Sequence, residues 1–579
     1  MCISRVLERL PVQGMAQGAH EMMNRTSTYC IAASTALAAI LWLSGLPAPC
    51  NAASVGPAPQ AAARHERTNV ILISLQCLRP DHLGVYGYKR ETSRNIDAFA
   101  KHSVVFENAI AQANLTPVAQ MSVLTSQYPR VHGMVSFEVT QDMVTQKTLP
   151  EILKYYGYTT AAVVSSPEFY LRFDTGSGTM VNPGDVFSRS FDHFGRTMGG
   201  QGSRNVRKIP NDSLRWIRDN KDKKFFLWIA SGLIHMPYGA AVPPQYRSMY
   251  DPPNYTPFWE RMPLEAGNRN TDANPSYDVF SRVYRNDYYR DFAPVYHLTE
   301  DDRKYVNARY DAGVYYTDLF IGELMKLLDS LNLTERTLII LQSIHGEDLG
   351  EQGNFFHYDV SDAVVKNALV LRFPNSEFGG KRVLEQVQGI DIMPTVLNYL
   401  DIPVPHEAEG VTLIPLLKGG KSVGGEFAFI DKIPWWEFNL SRWYLEFQIA
   451  KGSQVHFSPG EKERLEGYRT ILKTSFDRLG YPPGDIAIRS NEWKLILRKN
   501  KKLLEQVSWW GFITGSKQAV EEIELYDIKN DPQEKKNVAG DRPDVVERLK
   551  ARLLTWDASM EKQKTPHEKE EKRYIIPYP

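Results

Sequence analysis

Uninterrupted apolar runs of strand length recur along the chain, and stretches with a helical spacing of apolar residues separate them. A run of this kind is typical of a strand buried on both faces, as in a parallel sheet covered by helices on either side. Alternation of such strands with helices predicts a doubly wound α/β domain. The predicted strands are 69–75, 161–164, 225–229, 337–341 and 368–371, and the clearest predicted helix is 305–331.

The pattern changes after Leu417, where two glycine pairs within 419–425 form a flexible join. Beyond the join, the apolar spacing predicts strands at 486–498 and 523–526 and then a helix at 544–560. A few strands followed by one helix are typical of a small α+β domain. The chain therefore predicts a second, smaller domain after the α/β domain, with a charged tail behind its last helix.

The N-terminal segment has no charged residue between Arg25 and Arg64 and contains an apolar stretch at 29–46. A positive start, an apolar middle and a small-residue exit are the marks of a secretory signal peptide. We therefore predict a signal peptide over 1–53, cleaved near Ala52.

A linker rich in proline and alanine is predicted over 54–67, between the signal peptide and the first strand. Translation that starts at Met23 would give a signal of ordinary length. Cleavage predicts a periplasmic or secreted bacterial protein. The alternative is an uncleaved N-terminal membrane anchor, because the apolar stretch is only slightly shorter than a spanning helix.

Charge and cysteine content narrow the class of function. Lysine plus arginine and aspartate plus glutamate both number 68, so the formal net charge is zero. Nucleic-acid binding needs a basic excess or patch, so we expect no nucleic-acid partner.

The cysteines are Cys2, Cys30, Cys50 and Cys77. Signal removal would leave only Cys77, which excludes an internal disulfide in the mature chain.

Six short motifs follow one another from the first predicted strand into the C-terminal domain. The first reads Gln-Cys-Leu-Arg-Pro-Asp-His-Leu-Gly at 76–84 and follows an apolar strand directly. Each motif alone is weak, but the ordered set is highly specific. The others are Ser-Val-Leu-Thr-Ser-Gln-Tyr-Pro-Arg-Val-His-Gly at 122–133, His-Met-Pro-Tyr at 235–238, Ser-Ile-His-Gly-Glu at 343–347, Asp-Ile-Met-Pro-Thr at 391–395 and Glu-Leu-Tyr-Asp-Ile-Lys-Asn-Asp-Pro at 524–532.

Together these motifs resemble the sulfatase family of the alkaline-phosphatase-like superfamily. The resemblance implies an α/β fold with a large mixed, mainly parallel sheet flanked by helices over 68–418. It also implies that the smaller C-terminal α+β domain, with its charged tail, extends over 419–579. The site is then expected at the carboxyl ends of the parallel strands, which agrees with the general rule for open α/β sheets.

In this family a divalent cation, usually calcium or magnesium, is held by carboxylates and other oxygen ligands. The resemblance places Gln76 and Ile344 at two of the carboxylate positions, with His345 next along the chain. Glutamine offers a carbonyl oxygen, whereas isoleucine offers no ligand. A unit charge pair at about 4 Å with an effective dielectric near 20 is worth ~4 kcal/mol. The implied metal ligands are Gln76 and His345 in a degenerate site, and a metal-free site is the alternative.

The family nucleophile is a cysteine or serine that is oxidised to formylglycine within Cys/Ser-x-Pro-x-Arg. Alignment without a gap places Thr116 at this position, with Val118 and Gln120 at the proline and arginine positions. Alignment of Pro117 with the motif proline would place Leu115 there instead. Neither alignment supplies cysteine or serine, so we expect no formylglycine. A threonine hydroxyl can act as a nucleophile when a neighbouring group activates it.

The three histidines His235, His345 and His357 match family positions that contact the metal, the substrate or the leaving group. One of them is suited to act as general acid towards the leaving oxygen. The predicted catalytic residues are therefore Thr116, His235 and His357. Cys77 follows the first strand directly and is interpreted as a packed thiol.

Two functions of different class remain open. The first is a divergent hydrolase or phosphotransferase with Thr116 as nucleophile, acting on a sulfate or phosphate ester of a small molecule or glycan. The second is a pseudoenzyme that binds an anionic glycan or a protein partner without turnover. The missing carboxylates favour loss of the metal-dependent sulfatase activity. Two aromatic-rich segments, 238–296 and 435–444, are interpreted as walls of a cleft, as packed insertions or, for the tryptophan-rich one, as part of a surface assembly.

Overall fold

The apolar runs of the N-terminal part assemble into one eight-stranded sheet, and a four-stranded sheet follows later in the chain. The computed structural model describes residues 67–134, 146–165, 172–174, 179–181, 187–196, 208–236, 238–239, 241–256, 299–351, 355–357, 359–420, 426–433, 484–499 and 522–563. The predicted signal peptide, almost all of the linker and most of both aromatic-rich segments lie outside these residues.

The strands carry the labels β1 to β16 in chain order. They are β1 Asn69–Leu75, β2 Val104–Ile110, β3 Thr159–Val164, β4 Arg172–Asp174, β5 Thr179–Val181, β6 His193–Arg196, β7 Phe225–Ser231, β8 Thr337–Ser343, β9 Asp348–Leu349, β10 Phe355–Phe356, β11 Lys366–Arg372, β12 Arg382–Gln388, β13 Ala428–Asp431, β14 Ile486–Arg489, β15 Trp493–Leu497 and β16 Ile523–Asp527.

The α-helices carry the labels α1 to α11. They are α1 Arg94–Ala100, α2 Thr116–Thr125, α3 Pro129–His132, α4 Leu149–Tyr155, α5 Lys208–Asp219, α6 Pro244–Arg247, α7 Glu300–Ser330, α8 Asp362–Val365, α9 Ile392–Tyr399, α10 Ile414–Leu417 and α11 Pro543–Gln563. Single turns of 3₁₀ helix occur at Pro80–His82, Gly84–Tyr86, Ser188–Ser190, Thr334–Arg336, Pro374–Ser376 and Gly389–Asp391. Among the described helices, none combines the length and the apolar composition that crossing a bilayer requires.

The large sheet has the strand order β12-β2-β11-β8-β1-β7-β3-β6. Strand β1 pairs in parallel with both β7 and β8, whereas β11 pairs antiparallel with both β2 and β8. Seven of its eight strands therefore run in one direction, and β11 runs against them. The predicted mixed, mainly parallel sheet is confirmed, although an apolar run does not encode the reversed direction of β11.

Helices cover both faces of the large sheet because successive residues of each strand face opposite sides. Val70 and Leu72 of β1 lie in the same apolar cluster as residues of α2, α4 and α9. Ile71 and Ile73 lie in a second cluster with residues of α1, α5 and α7. The continuous apolar run of β1 is thus explained by burial on both faces. The predicted helix 305–331 corresponds to α7, which begins earlier because Thr299 and Asp302 form a capping box at its N-terminus.

The small sheet has the order β13-β14-β15-β16 and is antiparallel throughout. The single strand predicted at 486–498 is the hairpin β14–β15, because the chain turns at Ser490. One face of this sheet packs on α11, and the other packs on α8 and the end of β2. Both sheets belong to one compact unit, and the domain boundary predicted between 418 and 419 stays a prediction.

Buried ion pairs connect the small sheet to the segment that carries α8. The Arg489 guanidinium of β14 donates to both carboxylate oxygens of Asp362, the shortest contact being 2.7 Å. Arg498 contacts Asp359 at 2.6 Å and Glu524 at 2.8 Å. We call this group of buried and half-buried side chains the charged cluster. Its members are Asp359, Asp362, Lys432, Asp485, Arg489, Lys494, Arg498, Glu524 and Glu534.

Candidate active site

The site lies at the carboxyl ends of three adjacent parallel strands of the large sheet. Gln76 and Cys77 follow β1, and Ile344 and His345 follow β8. His235 lies in the turn after β7. This is the edge of an open α/β sheet where ligands bind, because the strand order leaves the loops pointing outward there. The sequence prediction of the site's location agrees with this geometry.

The chain makes a sharp turn directly after β1. Cys77 has a φ of 60°, in the left-handed region that residues with a side chain rarely adopt. The hydroxyl of Tyr310 donates to the carbonyl oxygen of Cys77 at 2.6 Å, and the backbone N–H of Arg79 donates to the same hydroxyl at 2.8 Å. Such a backbone conformation costs on the order of 1–3 kcal/mol and persists where its surroundings fix it. The turn therefore holds the Cys77 thiol in a defined place.

Thr116 is the first residue of α2 and forms a hydrogen bond with His345. Its Oγ1 lies 2.8 Å from the His345 Nε2, and both side chains are buried. The His345 Nδ1 lies 2.9 Å from the carbonyl oxygen of Gly346, which can only accept a hydrogen bond. Nδ1 therefore carries the proton, and Nε2 accepts the hydrogen bond from the threonine hydroxyl. A nucleophile, a base and a group that orients the base are thus in contact.

Burial keeps the His345 imidazole neutral. Its pKa lies well below the ordinary value of histidine, first because burial disfavours the charged form and second because His357 is close. The ring centroids of the two histidines are 4.4 Å apart. Thr116 also lies at the N-terminus of a ten-residue helix, where the partial positive charge of the backbone favours a developing oxyanion.

A second group of buried side chains lies next to this pair. The donor atoms of Cys77, His235 and His357 are all within 4.8 Å of one another. Nδ1 of His235 donates to the carbonyl oxygen of Met236 at 2.8 Å, which fixes the orientation of that ring. Nδ1 of His357 lies 3.2 Å from Glu347 Oε1. Burial alone would raise the pKa of Glu347. Its pKa nevertheless lies below the ordinary value, because the imidazoles of His357 and His235 are close.

The side chains of Gln76 and Ile344, at the expected metal-binding positions, do not fit the calcium or magnesium ion that the resemblance implies. The Ile344 side chain is 2% exposed and belongs to the apolar cluster on the α2 face of the sheet. The Gln76 carboxamide lies so close to Gly232 that a Cβ there would be only 2.8 Å from Gln76 Oε1. Calcium and magnesium require several oxygen ligands and prefer charged ones. One glutamine carbonyl beside an apolar side chain does not provide such a set.

Gln120 lies one helical turn after Thr116, so the two share a face of α2. The side chain is fully buried, and neither its nitrogen nor its oxygen forms a hydrogen bond to a described residue. A buried polar group without a partner costs on the order of 1–3 kcal/mol. This destabilising arrangement lies next to the nucleophile, where a bound polar ligand would relieve it.

The structure brings together Thr116, His235, His345 and His357, all of which the sequence singles out. The structure places the Ile344 side chain apart from this group, because it packs into the core. Sequence reasoning underestimated Cys77 and did not single out Glu347 at all. Cys77 could have been found from its position, since it directly follows a strand whose carboxyl end is the expected site. The motif at 343–347 contains Glu347, but its contact with His357 arises only in the folded chain.

Comparison with known proteins agrees with the fold and the motifs. Human iduronate 2-sulfatase is 24% identical over 448 residues, which are 68% of this chain and 80% of that protein. A structure solved in complex with its substrate D-glucosamine-2-N,6-O-disulfate is similar at 17% identity with a TM-score of 0.59, over 86% of this chain and 98% of that one. The phosphonate monoester hydrolase of Agrobacterium radiobacter is similar at 18% identity with a TM-score of 0.57, over 85% and 96% of the two chains. The family model described as Sulfatase matches residues 68–402, more than half of the sequence, and the chain belongs to the sulfatase family.

Proposed function

We propose that this protein hydrolyses a sulfate or phosphate ester with Thr116 as nucleophile and His345 as its base. We further propose that it has lost the formylglycine and hard-cation chemistry of a typical sulfatase. The observation that carries the proposal is the 2.8 Å contact between Thr116 Oγ1 and His345 Nε2. A base within hydrogen-bond reach of a hydroxyl, itself held by a third group, is the arrangement that activates a hydroxyl nucleophile.

In the first step, Thr116 Oγ1 attacks the sulfur or phosphorus atom and its proton passes to Nε2 of His345. The bond between that atom and the leaving oxygen breaks, and an aryl oxygen leaves without prior protonation. His345 then gives this proton to the departed aryl oxide, and its imidazole is neutral again. In the second step, His345 takes a proton from water, whose oxygen attacks the sulfur or phosphorus atom of the threonine ester. The bond between that atom and Thr116 Oγ1 breaks, and the proton passes from His345 to Oγ1, so that sulfate or phosphate is released and the Thr116 hydroxyl is restored. General-acid catalysis by His235 or His357 towards a poorer leaving group stays a prediction.

A member of this family typically depends on a divalent cation, and calcium or magnesium would usually serve. Gln76 and Ile344 do not provide the oxygen ligands for either ion, so no step of this mechanism uses one. The positive potential at the site comes instead from the N-terminus of α2.

The substrate class follows from the relatives. Human iduronate 2-sulfatase and the structure with bound D-glucosamine-2-N,6-O-disulfate point to a sulfated sugar. The phosphonate monoester hydrolase points to a phosphorus ester of a small molecule. We therefore propose a glycan or small-molecule ester in the periplasm or outside a bacterial cell, in agreement with the predicted signal peptide. Nucleic acid is not an expected partner, because the net charge is zero.

A second candidate function is binding of an anionic glycan without turnover. The apolar Ile344 at a position where the family pattern has a carboxylate favours this candidate. A pseudoenzyme would keep the pocket and its histidines while losing the groups that accelerate the reaction. The two candidates differ in whether the Thr116 hydroxyl reacts.

The experiment compares Thr116→Ala with Thr125→Ala, a matched control on the same helix. Thr125 is also buried, and its hydroxyl donates to the Met121 carbonyl, away from His345. Aryl sulfate, aryl phosphate monoester, phosphodiester and phosphonate substrates are assayed with wild type and both variants. We expect Thr116→Ala to reduce turnover about a thousandfold or more, whereas Thr125→Ala keeps it.

Thr116→Ser is the conservative variant and should retain turnover with a covalent intermediate that is trapped by rapid quench and mass spectrometry. Unchanged turnover in Thr116→Ala would overturn the proposed nucleophile. Saturable binding of a sulfated glycan with no turnover by wild type on any of the four substrates would overturn hydrolysis and support the second candidate.

A further inference from the structure

Three side chains that bind soft metals converge beside the Thr116–His345 pair. Cys77, His235 and His357 come from the turns after β1 and β7 and from the segment after β10, up to 280 residues apart along the chain. They are 0%, 4% and 3% exposed. Their donor atoms lie within 4.8 Å of one another, with the Cys77 Sγ 3.9 Å from the His357 Nδ1.

The donor set selects the class of metal. Thiolate and imidazole suit zinc and other late transition metals, whereas calcium and magnesium require oxygen. Zinc lies about 2.3 Å from sulfur and about 2.0 Å from nitrogen, so the edges of a tetrahedral site measure roughly 3.3–3.5 Å. The observed spacings of up to 4.8 Å exceed these edges by about 1.5 Å at most, so the three ligand atoms must move slightly closer together to bind an ion.

We propose that Cys77, His235 and His357 bind one zinc ion in a three-ligand site with an open fourth position. Three protein ligands and one exchangeable position are the arrangement of catalytic rather than structural zinc sites. The site is new relative to the hard-cation site of the family, because its ligands are sulfur and nitrogen and because Gln76 and Ile344 take no part in it.

The surroundings of the ligands support this assignment. Histidines that bind zinc typically donate their other ring N–H to a carbonyl or carboxylate. His235 makes such a contact to the Met236 carbonyl, so its Nε2 carries the lone pair. Glu347 Oε1 lies 3.2 Å from the His357 Nδ1, the same nitrogen that lies 3.9 Å from the Cys77 Sγ, and places a negative charge beside the proposed ion. The Tyr310 hydroxyl holds the carbonyl of Cys77 and thereby the direction of the thiol. His235 and Cys77 thus each have an orienting partner outside the donor set.

The donor set lies next to the nucleophile pair, since the His357 ring packs on the His345 ring at 4.4 Å between centroids. A dication there would supply positive charge near an ester oxygen, a role that the missing carboxylates no longer support through calcium or magnesium. The zinc site does not depend on the hydrolytic proposal, because metal binding is measured without substrate and without turnover.

The test measures metal binding by the purified full-length protein. The chain is stripped with chelator and titrated separately with zinc, cobalt, calcium and magnesium ions, and bound metal is quantified by mass spectrometry. We expect one zinc per chain, a thiolate-to-cobalt charge-transfer band in the cobalt form, and much weaker binding of calcium and magnesium. Cys77→Ser and His235→Ala should each weaken zinc binding at least about tenfold, and Cys77→Ser should abolish the cobalt band.

The matched control is His102→Ala, which removes an exposed histidine far from the donor set and should leave zinc affinity unchanged. Circular dichroism and thermal melts identify any variant that fails to fold. For such a variant, Cys77→Asp serves instead and should shift the preference from zinc towards magnesium. Absence of stoichiometric zinc in wild type, or equal zinc affinity in folded Cys77→Ser, would overturn the proposal.

Thr116→Ala separates this inference from the proposed hydrolysis. Zinc binding that persists in Thr116→Ala, with turnover lost, supports both proposals. Zinc binding by a wild type that turns over no ester supports the metal site and rejects the hydrolase. Full turnover by the stripped protein that also binds no zinc supports the hydrolase and rejects the metal site.

Discussion

Two buried polar regions of this protein differ in how their charges are balanced. In the charged cluster, each carboxylate faces a cation of the same chain, as Asp362 faces Arg489 at 2.7 Å. In the active site, the two positions that the sequence prediction assigns to metal-binding carboxylates hold the neutral side chains Gln76 and Ile344. Within the charged cluster, the chain itself supplies the cationic partner of each carboxylate. At the two positions where the predicted partner is calcium or magnesium, the side chains are neutral.

The difference has a simple energetic reason. A buried ion pair breaks roughly even against apolar packing, whereas a buried charge left alone costs several kcal/mol. A hard-cation site without its cation would hold two such charges. The neutral side chains of Gln76 and Ile344 avoid this cost when no cation is bound.

The largest effect is expected when the acidic pair is put back. Gln76→Asp combined with Ile344→Asp places two carboxylates in a buried neutral site, and each uncompensated charge costs about 3–5 kcal/mol. We expect marked destabilisation in chelator and recovery in millimolar calcium or magnesium, because binding to the folded state stabilises it. Chemical denaturation with and without cation measures both the loss of stability in chelator and its recovery. The neutral pair Gln76→Asn with Ile344→Val is the control, and cation affinity equal to wild type would show that these positions do not face the metal.

The next largest effect is expected in the charged cluster. Asp362→Ala removes the partner of Arg489, which is 1% exposed, and one of the two partners of Lys494. Loss of one member of a buried pair costs about 3–5 kcal/mol, because the other charge stays buried. Urea denaturation should show this loss. Glu492→Ala, which breaks an exposed pair with Lys529, should change stability by about 1 kcal/mol or less. Equal effects of both substitutions would contradict the comparison.

The fold was largely predictable from the apolar pattern, since β1, β7 and β8 are continuous apolar runs and α7 has clear helical spacing. The direction of β11 was not, because an apolar run is the same in a parallel and an antiparallel strand. The hairpin β14–β15 was predicted as one strand, because its turn at Ser490 interrupts the pattern only briefly. Family motifs, rather than periodicity, identified the site.

Within the site, the sequence singled out the histidines but not their contacts. The pairing of Thr116 with His345 joins residues that are 229 positions apart. The approach of Cys77 to His357 joins residues that are 280 positions apart. Neither distance follows from local pattern, because each depends on how distant strands pair in the sheet. Cys77 was therefore interpreted as a packed thiol, although its place after β1 already put it at the site edge.

A third expected effect concerns a buried carboxylate that lacks a cation altogether. Asp391 accepts hydrogen bonds only from the backbone N–H groups of Gln388 and Val411 among the described residues. Burial raises its pKa to about 7. The folded state therefore holds this proton more tightly than the unfolded state, so the contribution to stability is complete below pH 3.8 and is lost as pH rises through 7.

The shift from 3.8 to about 7 corresponds to about 4 kcal/mol at about 1.36 kcal/mol per pKa unit. The free energy of unfolding of wild type relative to Asp391→Asn should fall by this amount between pH 4 and pH 7.5, as measured by urea denaturation at several pH values. The contribution of Asp362 to the free energy of unfolding should change with pH in the opposite direction, because its pKa lies below the ordinary value. Burial alone would raise this pKa, but the charges of Arg489 and Lys494 outweigh burial. A flat difference for Asp391 would place its carboxyl in a wetter environment than the structure describes.

The smallest change in the free energy of unfolding is expected for a substitution of Gln120, and the informative feature is whether stability rises or falls. Gln120→Met removes a buried amide without a described hydrogen-bond partner and keeps volume and helix propensity nearly unchanged. The free energy of unfolding should therefore increase by about 1–2 kcal/mol. At the same time, affinity for a sulfate or phosphate ester should fall, because the variant has no polar group to offer one turn below Thr116. Urea denaturation and ligand titration measure the two effects. A stability gain with unchanged ligand affinity would place Gln120 outside the binding site. Its amide would then belong to the scaffold. This result would weaken the contrast between the charged cluster, whose charges are balanced within the chain, and the active site, which leaves polar groups for a ligand.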